Sequence, residues 1–132
     1  MNDKEALLTY RMTQAQETLA EAQKMLQNNF SPRSIVNRTY YSMFYVLLAL
    51  FLKTDISIKT SKHTAVISIF DREFVHKGII SKQYSKTLHK IFGARQLGDY
   101  REFVQISSAD AAEYVKLAED FFEEIKKLII EH

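Results

Sequence analysis

SPRSIVNRTYYSMFYVLLALFLK, residues 31–53, decides how the rest of the chain is read. Ser31 is a good helix N-cap. Pro32 fits the first helical position, where a missing N–H costs no intrahelical bond. The helix that follows is apolar nearly all round, most strongly over YYSMFYVLLALFL, residues 40–52. That run is shorter than the about 20 apolar residues a membrane-spanning helix needs, and runs of this length are usually buried core helices. A helix with no continuous polar face belongs in the middle of a bundle, with other helices around it.

The flanking sequence supplies those helices. One proline and three glycines in 132 residues leave little punctuation, and period-2 alternation is absent. Before residue 31, Leu8, Met12, Ala15, Leu19, Ala22 and Leu26 recur at steps of four and three, an amphipathic stripe that ends at NNFSPRS. After residue 53, TDISIKTSK reads as a loop, followed by a shorter helix from His63 to about Val75 and a turn centred on Gly78. Ser81 caps a fourth helix with apolar positions Tyr84, Leu88, Ile91 and Phe92. A last helix opens near SSAD, where Ser107 and Asp110 have capping-box spacing, and carries Ala111, Val115, Ala118, Phe122, Ile125 and Ile129 on one stripe. The expected fold is all-α, an up-and-down bundle of about five helices forming one domain over 1–132.

Composition narrows the chemistry. The balance of 46% apolar and 26% charged residues is that of a folded globular chain. No cysteine means no disulfide and no thiolate metal site. The N-terminal MNDKEALLTYRM has no apolar signal core, so a cytoplasmic location without membrane attachment is expected. Glycine-rich phosphate loops and nucleophile elbows are absent, and no cofactor is expected. Glu73 and His76 stand three apart, half of a di-iron carboxylate pattern whose other half is missing, so no metal site is expected. His76 otherwise reads as a solvated residue near a helix C-terminus.

Charge is uneven. Residues 1–52 hold five basic and four acidic side chains, 53–101 ten and four, and 102–132 three and eight. The basic middle is either a face for an anionic ligand or the counterpart of the acidic last helix. Lys82, Lys86 and Lys90 form a row at steps of four that suits a phosphate backbone or simply a solvated face.

GARQLGDYREF, residues 93–103, breaks local rules. Arg95 continues the stripe of Tyr84, Leu88 and Ile91, so a cation occupies an apolar position and needs an anion. Asp99 follows one turn later, near the negative end of the helix, and Gly98 offers freedom to redirect the chain there. The residues leave two readings open, a structural Arg–Asp pair and a ligand phosphate site. Arg38 and Tyr41, with Tyr45 one turn on, add a cation and phenols to the central helix; Arg38 either joins Arg95 in an anion pocket or pairs with an acid of the last helix.

NRTYYSMFYVLLALFLK, SKHTAVISIFDREFVHKGII, FGARQLGDYREF and the acidic C-terminal helix, in that order, resemble the HEPN domain family, and within it the small prokaryotic proteins paired with minimal nucleotidyltransferases. The resemblance implies a helical bundle that commonly forms homodimers, a groove lined by the second and fourth helices, and partners among nucleotidyltransferases, nucleotides or RNA in toxin–antitoxin type systems. Many HEPN domains are metal-independent ribonucleases with an Arg, four to six residues, and then a His. Here Tyr100, Arg101 and Glu102 stand at those distances from Arg95, so the usual pair is missing. What carries over by position is Arg95 with Asp99 and Tyr100. A binding module using Arg38, Tyr41, Arg95, Asp99 and Tyr100 is one implied function. A ribonuclease toxin in which Tyr100 or His63 replaces the histidine is another, and a structural dimeric scaffold is a third.

Overall fold

The computed structural model describes residues 2–58, 62–100 (the side chains of 97–100 excepted) and 106–131. Among them are five helices and no strand: α1 (Asp3–Gln27), α2 (Pro32–Lys53), α3 (His63–Phe70), α4 (Lys82–Tyr100) and α5 (Ser108–Glu131). A single wide turn, Asp71–Val75, extends α3 and is closed by the His76 N–H donating to the Asp71 carbonyl five residues back at 2.8 Å.

α2 starts where its cap requires, with the Ser31 hydroxyl accepting from the Ser34 N–H. Its residues Val36, Tyr40, Val46, Leu47, Ala49 and Leu50 are wholly buried. By length and composition α2 would cross a membrane, yet 67% of its most apolar window is buried inside the protein. Its apolar surface is therefore matched by other helices. α1 and α5 lie along it, α4 covers a further side, and α3 packs on it through His63 against Tyr40 and Phe44. The stripes face inward as their spacing predicts: Ala15, Leu19 and Ala22 from α1, Tyr84, Leu88 and Ile91 from α4, and Ala111, Val115, Ala118, Phe122, Ile125 and Ile129 from α5 are buried. The expected capping box of α5 forms, with Ser107 Oγ accepting from the Asp110 N–H at 3.0 Å and Asp110 Oδ2 accepting from the Ser107 N–H at 3.4 Å.

Three helix ends are closed in the same way. Asn29, Asp55 and Gly78 all have positive φ. Each sits one residue before an N–H that reaches back to a carbonyl five residues earlier: Phe30 to Met25 (3.0 Å), Ile56 to Phe51 (2.8 Å) and Ile79 to Phe74 (2.9 Å). This double-bonded C-terminal turn satisfies carbonyls that the helix leaves open.

One expectation is corrected. The helix is not interrupted in GARQLGDY: α4 runs through Gly93 and Gly98 to Tyr100. A Cβ built on Gly93 would meet nothing within 4 Å, so neither turn geometry nor close packing calls for glycine there. Gly93→Ala is expected to raise stability by about 0.5–1 kcal/mol through helix propensity. Gly78→Ala, at φ +75°, is expected to lower it by about 1–2 kcal/mol. Urea denaturation of the two variants checks both signs against wild type.

Candidate functional site

On α2, Arg38, Tyr41 and Tyr45 stand at i, i+3 and i+7 and so share one stripe. All three are half-buried, whereas the adjoining Tyr40 and Phe44 are buried. This is the strip of α2 where coverage by its neighbours stops. The rings of Tyr41 and Tyr45 pack at 5.8 Å, and Tyr41 meets Tyr40 edge-on at 5.8 Å.

α4 brings Arg95 to the same place. Its guanidinium carbon lies 5.2 Å from the Tyr41 ring centre and 5.5 Å from that of Tyr40, and Nη2 donates to the Tyr41 hydroxyl at 3.3 Å. Its Nε is shielded from solvent. Arg95 is half-buried in register with the buried Tyr84, Leu88 and Ile91, with its guanidinium against the Tyr40 and Tyr41 rings. Arg38 lies over the Tyr41 ring as well, at 5.5 Å. The two arginines are brought together through one tyrosine. Arg38 makes no ion pair with α5 or with any other described residue. The side chains of Asp99 and Tyr100 lie outside the described residues.

α3 contributes His63, its first residue. The imidazole stacks on Phe44 with centres 4.2 Å apart and planes 11° apart, stacks on Tyr40 at 5.4 Å and meets Tyr41 edge-on at 5.5 Å. Its Nδ1 is 2.9 Å from the Tyr40 hydroxyl. Tyr40 is wholly buried, so that hydroxyl needs a partner inside the protein, and His63 supplies it. Burial raises the pKa of Tyr40 strongly, against a smaller opposing effect of Arg95, so the phenol keeps its proton. His63 is held below its ordinary pKa, first by burial and then by the positive charge of Arg95. At neutral pH it is an uncharged imidazole with Nδ1 engaged, leaving Nε2 as the ring nitrogen able to meet a ligand.

The other candidates fall elsewhere. Lys82 and Lys86 are exposed on α4, but Lys90 pairs with Glu113 of α5 at 3.1 Å and lies over the Tyr114 ring at 5.8 Å. The basic row therefore loses one member to attraction between the basic and acidic helices. Glu73 pairs with Lys77 at 3.0 Å, and His76 is exposed. Sequence reasoning missed a brace between the wide turn and α4, where Asp71 accepts from Ser85 Oγ at 2.6 Å and pairs with His89 Nε2 at 2.7 Å. Only the shared spacing of Ser85 and His89 on one helix face hinted at it. Tyr40 and Phe44 were legible as core, and their role as the cradle of His63 was not.

A family model described as the HEPN domain matches residues 8–128. A UPF0332 protein of Thermotoga maritima is 39% identical over 129 residues, 98% of this chain and 96% of its own. "Putative toxin MJ0142" of Methanocaldococcus jannaschii is 28% identical over 120 residues, 91% of this chain and 80% of its own. The resemblance read from the sequence thus holds, and the chain belongs to the HEPN domain family.

The site makes a prediction about acid. His63 favours its neutral form in the fold, so the unfolded chain takes up its proton first as pH falls below about 6.5. The stability tied to neutral His63 is full above that pH and is lost as pH falls towards the lower folded value. An NMR titration is expected to give His63 an apparent pKa below the ordinary histidine value of about 6.5, with His63→Phe flattening the stability profile between pH 7 and pH 5.

Proposed function

We propose that this HEPN-family chain is an RNA-binding module of the toxin–antitoxin type, which takes a phosphate of single-stranded RNA at Arg95 and Arg38 beside the Tyr40–Tyr41 pair. The observation that carries the reading is the convergence of two guanidinium groups and an uncharged imidazole on one partly open tyrosine. Arginine suits phosphate because its planar fork donates to two oxygens at once. Open aromatic faces suit unstacked bases, as in single-stranded RNA recognition. The relative whose name gives it as a toxin supports the same class of function.

His63 favours a second reading, metal-independent RNA cleavage with a displaced histidine. The residue spacing that lacks a histidine after Arg95 along α4 is answered in space by one from α3. Nε2 of His63 would exchange a proton with the ribose hydroxyl or the leaving oxygen, while Arg95 stabilises charge building on the phosphate. The roles separate by substitution.

Arg95→Ala is expected to lower affinity for a labelled single-stranded RNA at least tenfold, measured by fluorescence anisotropy, with the helical circular-dichroism spectrum unchanged. Unchanged affinity would reject the phosphate role. His63→Ala is expected to keep binding and abolish cleavage; intact RNA at high wild-type concentration would remove the cleavage reading and leave the binding one. Sedimentation of the same samples, alone and with a nucleotidyltransferase, tests the homodimer and the protein partner. A dimer weakened by Arg95→Ala with RNA affinity untouched would favour a scaffold.

A further inference from the structure

A groove of about 320 Å³ runs between α1 and α2 on the side of the Arg38–Tyr41–Tyr45 stripe. α1 lines it with Tyr10, Glu17 and Glu21, and α2 with Arg38 and Tyr45. Its size is at the lower end of small-molecule sites, about 300–1,000 Å³.

The chemistry of its walls is unbalanced. Glu17 and Glu21 stand at i, i+4 on one face of α1, an arrangement that costs stability through like-charge repulsion. Neither is within ion-pair distance of a cation among the described residues. Arg38 is a half-buried cation lining the same groove, and it too stays out of ion-pair distance, resting on Tyr41 instead. Two carboxylates and a guanidinium thus line one groove without neutralising each other. Glu17 and Glu21 are exposed and Arg38 is half-buried, so all three are within reach of a ligand in the groove.

An ionised carboxylate only accepts hydrogen bonds and a guanidinium only donates them. A planar ligand that engages both through paired hydrogen bonds presents adjacent donors on one edge and acceptors on another. Of the four RNA bases, guanine alone does so, with N1–H and the N2 amino group beside each other and O6 and N7 as acceptors. Adenine and cytosine each offer a single donor, the exocyclic amino group, beside a ring-nitrogen acceptor, and uracil flanks its one N–H with two carbonyls. We infer that the α1–α2 groove is a guanine subsite, with Glu17 or Glu21 on N1–H and N2, Arg38 on O6 and N7, and the Tyr45 ring beside the base. This deepens and rests on the RNA reading above: Arg38 and Tyr45 of the groove wall both pack on Tyr41, the ring that Arg95 also meets.

The test uses the full chain and labelled single-stranded RNA hexamers of uridine carrying G, A, C or U at one central position. The G hexamer is expected to bind at least tenfold tighter than the other three, and inosine, which lacks the N2 amino group, to lose most of that margin. The double variant Glu17→Gln, Glu21→Gln is expected to level the four hexamers without weakening the U hexamer, with circular dichroism unchanged. Equal wild-type affinities that still fall with Arg95→Ala would overturn the guanine subsite and keep the RNA reading. A preference for G that survives in the double variant would overturn it as well. If no hexamer binds, the RNA reading fails by itself, and calorimetry with guanosine and adenosine monophosphates decides the groove: a glutamate-dependent preference for the guanine nucleotide sustains it as a free-nucleotide site, and no preference ends it.

Discussion

The whole architecture answers one constraint, that an apolar α2 must be covered on nearly every side. α1 and α5 do this along its length, α4 over another face and α3 beside Tyr40 and Phe44, and between them they remove from water the twelve α2 residues that are buried. The hydrophobic gain is roughly proportional to the apolar area removed, so a helix with no polar face draws neighbours to all of its sides. Coverage thins along a strip of α2 that carries Arg38, Tyr41 and Tyr45 and, further on, Leu48 and Leu52. Arg38, Tyr41 and Tyr45 tolerate partial exposure because phenols and guanidinium groups can keep one end wet. The candidate site lies on this strip.

Around it, each polar group is positioned by the cost of burying another. Tyr40 is driven into the core by its ring, and its hydroxyl then requires a partner, which fixes the imidazole of His63 against Phe44. Arg95 reaches the cluster because the stripe of Tyr84, Leu88 and Ile91 turns its position inward, and aromatic faces are what it finds there. Its charge in turn disfavours a second charge on His63, in the same direction as burial does. A neutral imidazole next to a fixed cation follows from packing before any ligand is considered.

The charge asymmetry along the chain is resolved in part by the fold itself. Lys90 pairs with Glu113 across α4 and α5, so some of the basic middle serves cohesion with the acidic last helix. Exposed pairs of this kind contribute little to stability. Lys82 and Lys86 keep their exposure.

Local rules made much of this legible. Ser31 and Pro32 marked the start of α2, the steps of four and three in Leu8–Leu26 and Ala111–Ile129 marked the outer helices, and Ser107 with Asp110 marked a cap, because each depends on residues within one or two turns. Arg95 was readable as a cation in an apolar register for the same reason. The run of α4 through Gly93 and Gly98 was not, since two glycines signal a break only when tertiary packing does not hold the helix. Nor was the pairing of His63 with Tyr40 or the lining of one groove by Glu17, Glu21 and Arg38, which join residues between 17 and 23 positions apart; Arg38 joining Arg95 was one of two readings left open, and the Tyr41 ring that brings them together was not foreseen. Chain periodicity determined which side of each helix turns inward; only the docking of α1, α3 and α4 against α2 decided which polar ends meet, because contacts between helices are set by the shape of both surfaces and not by the order of either.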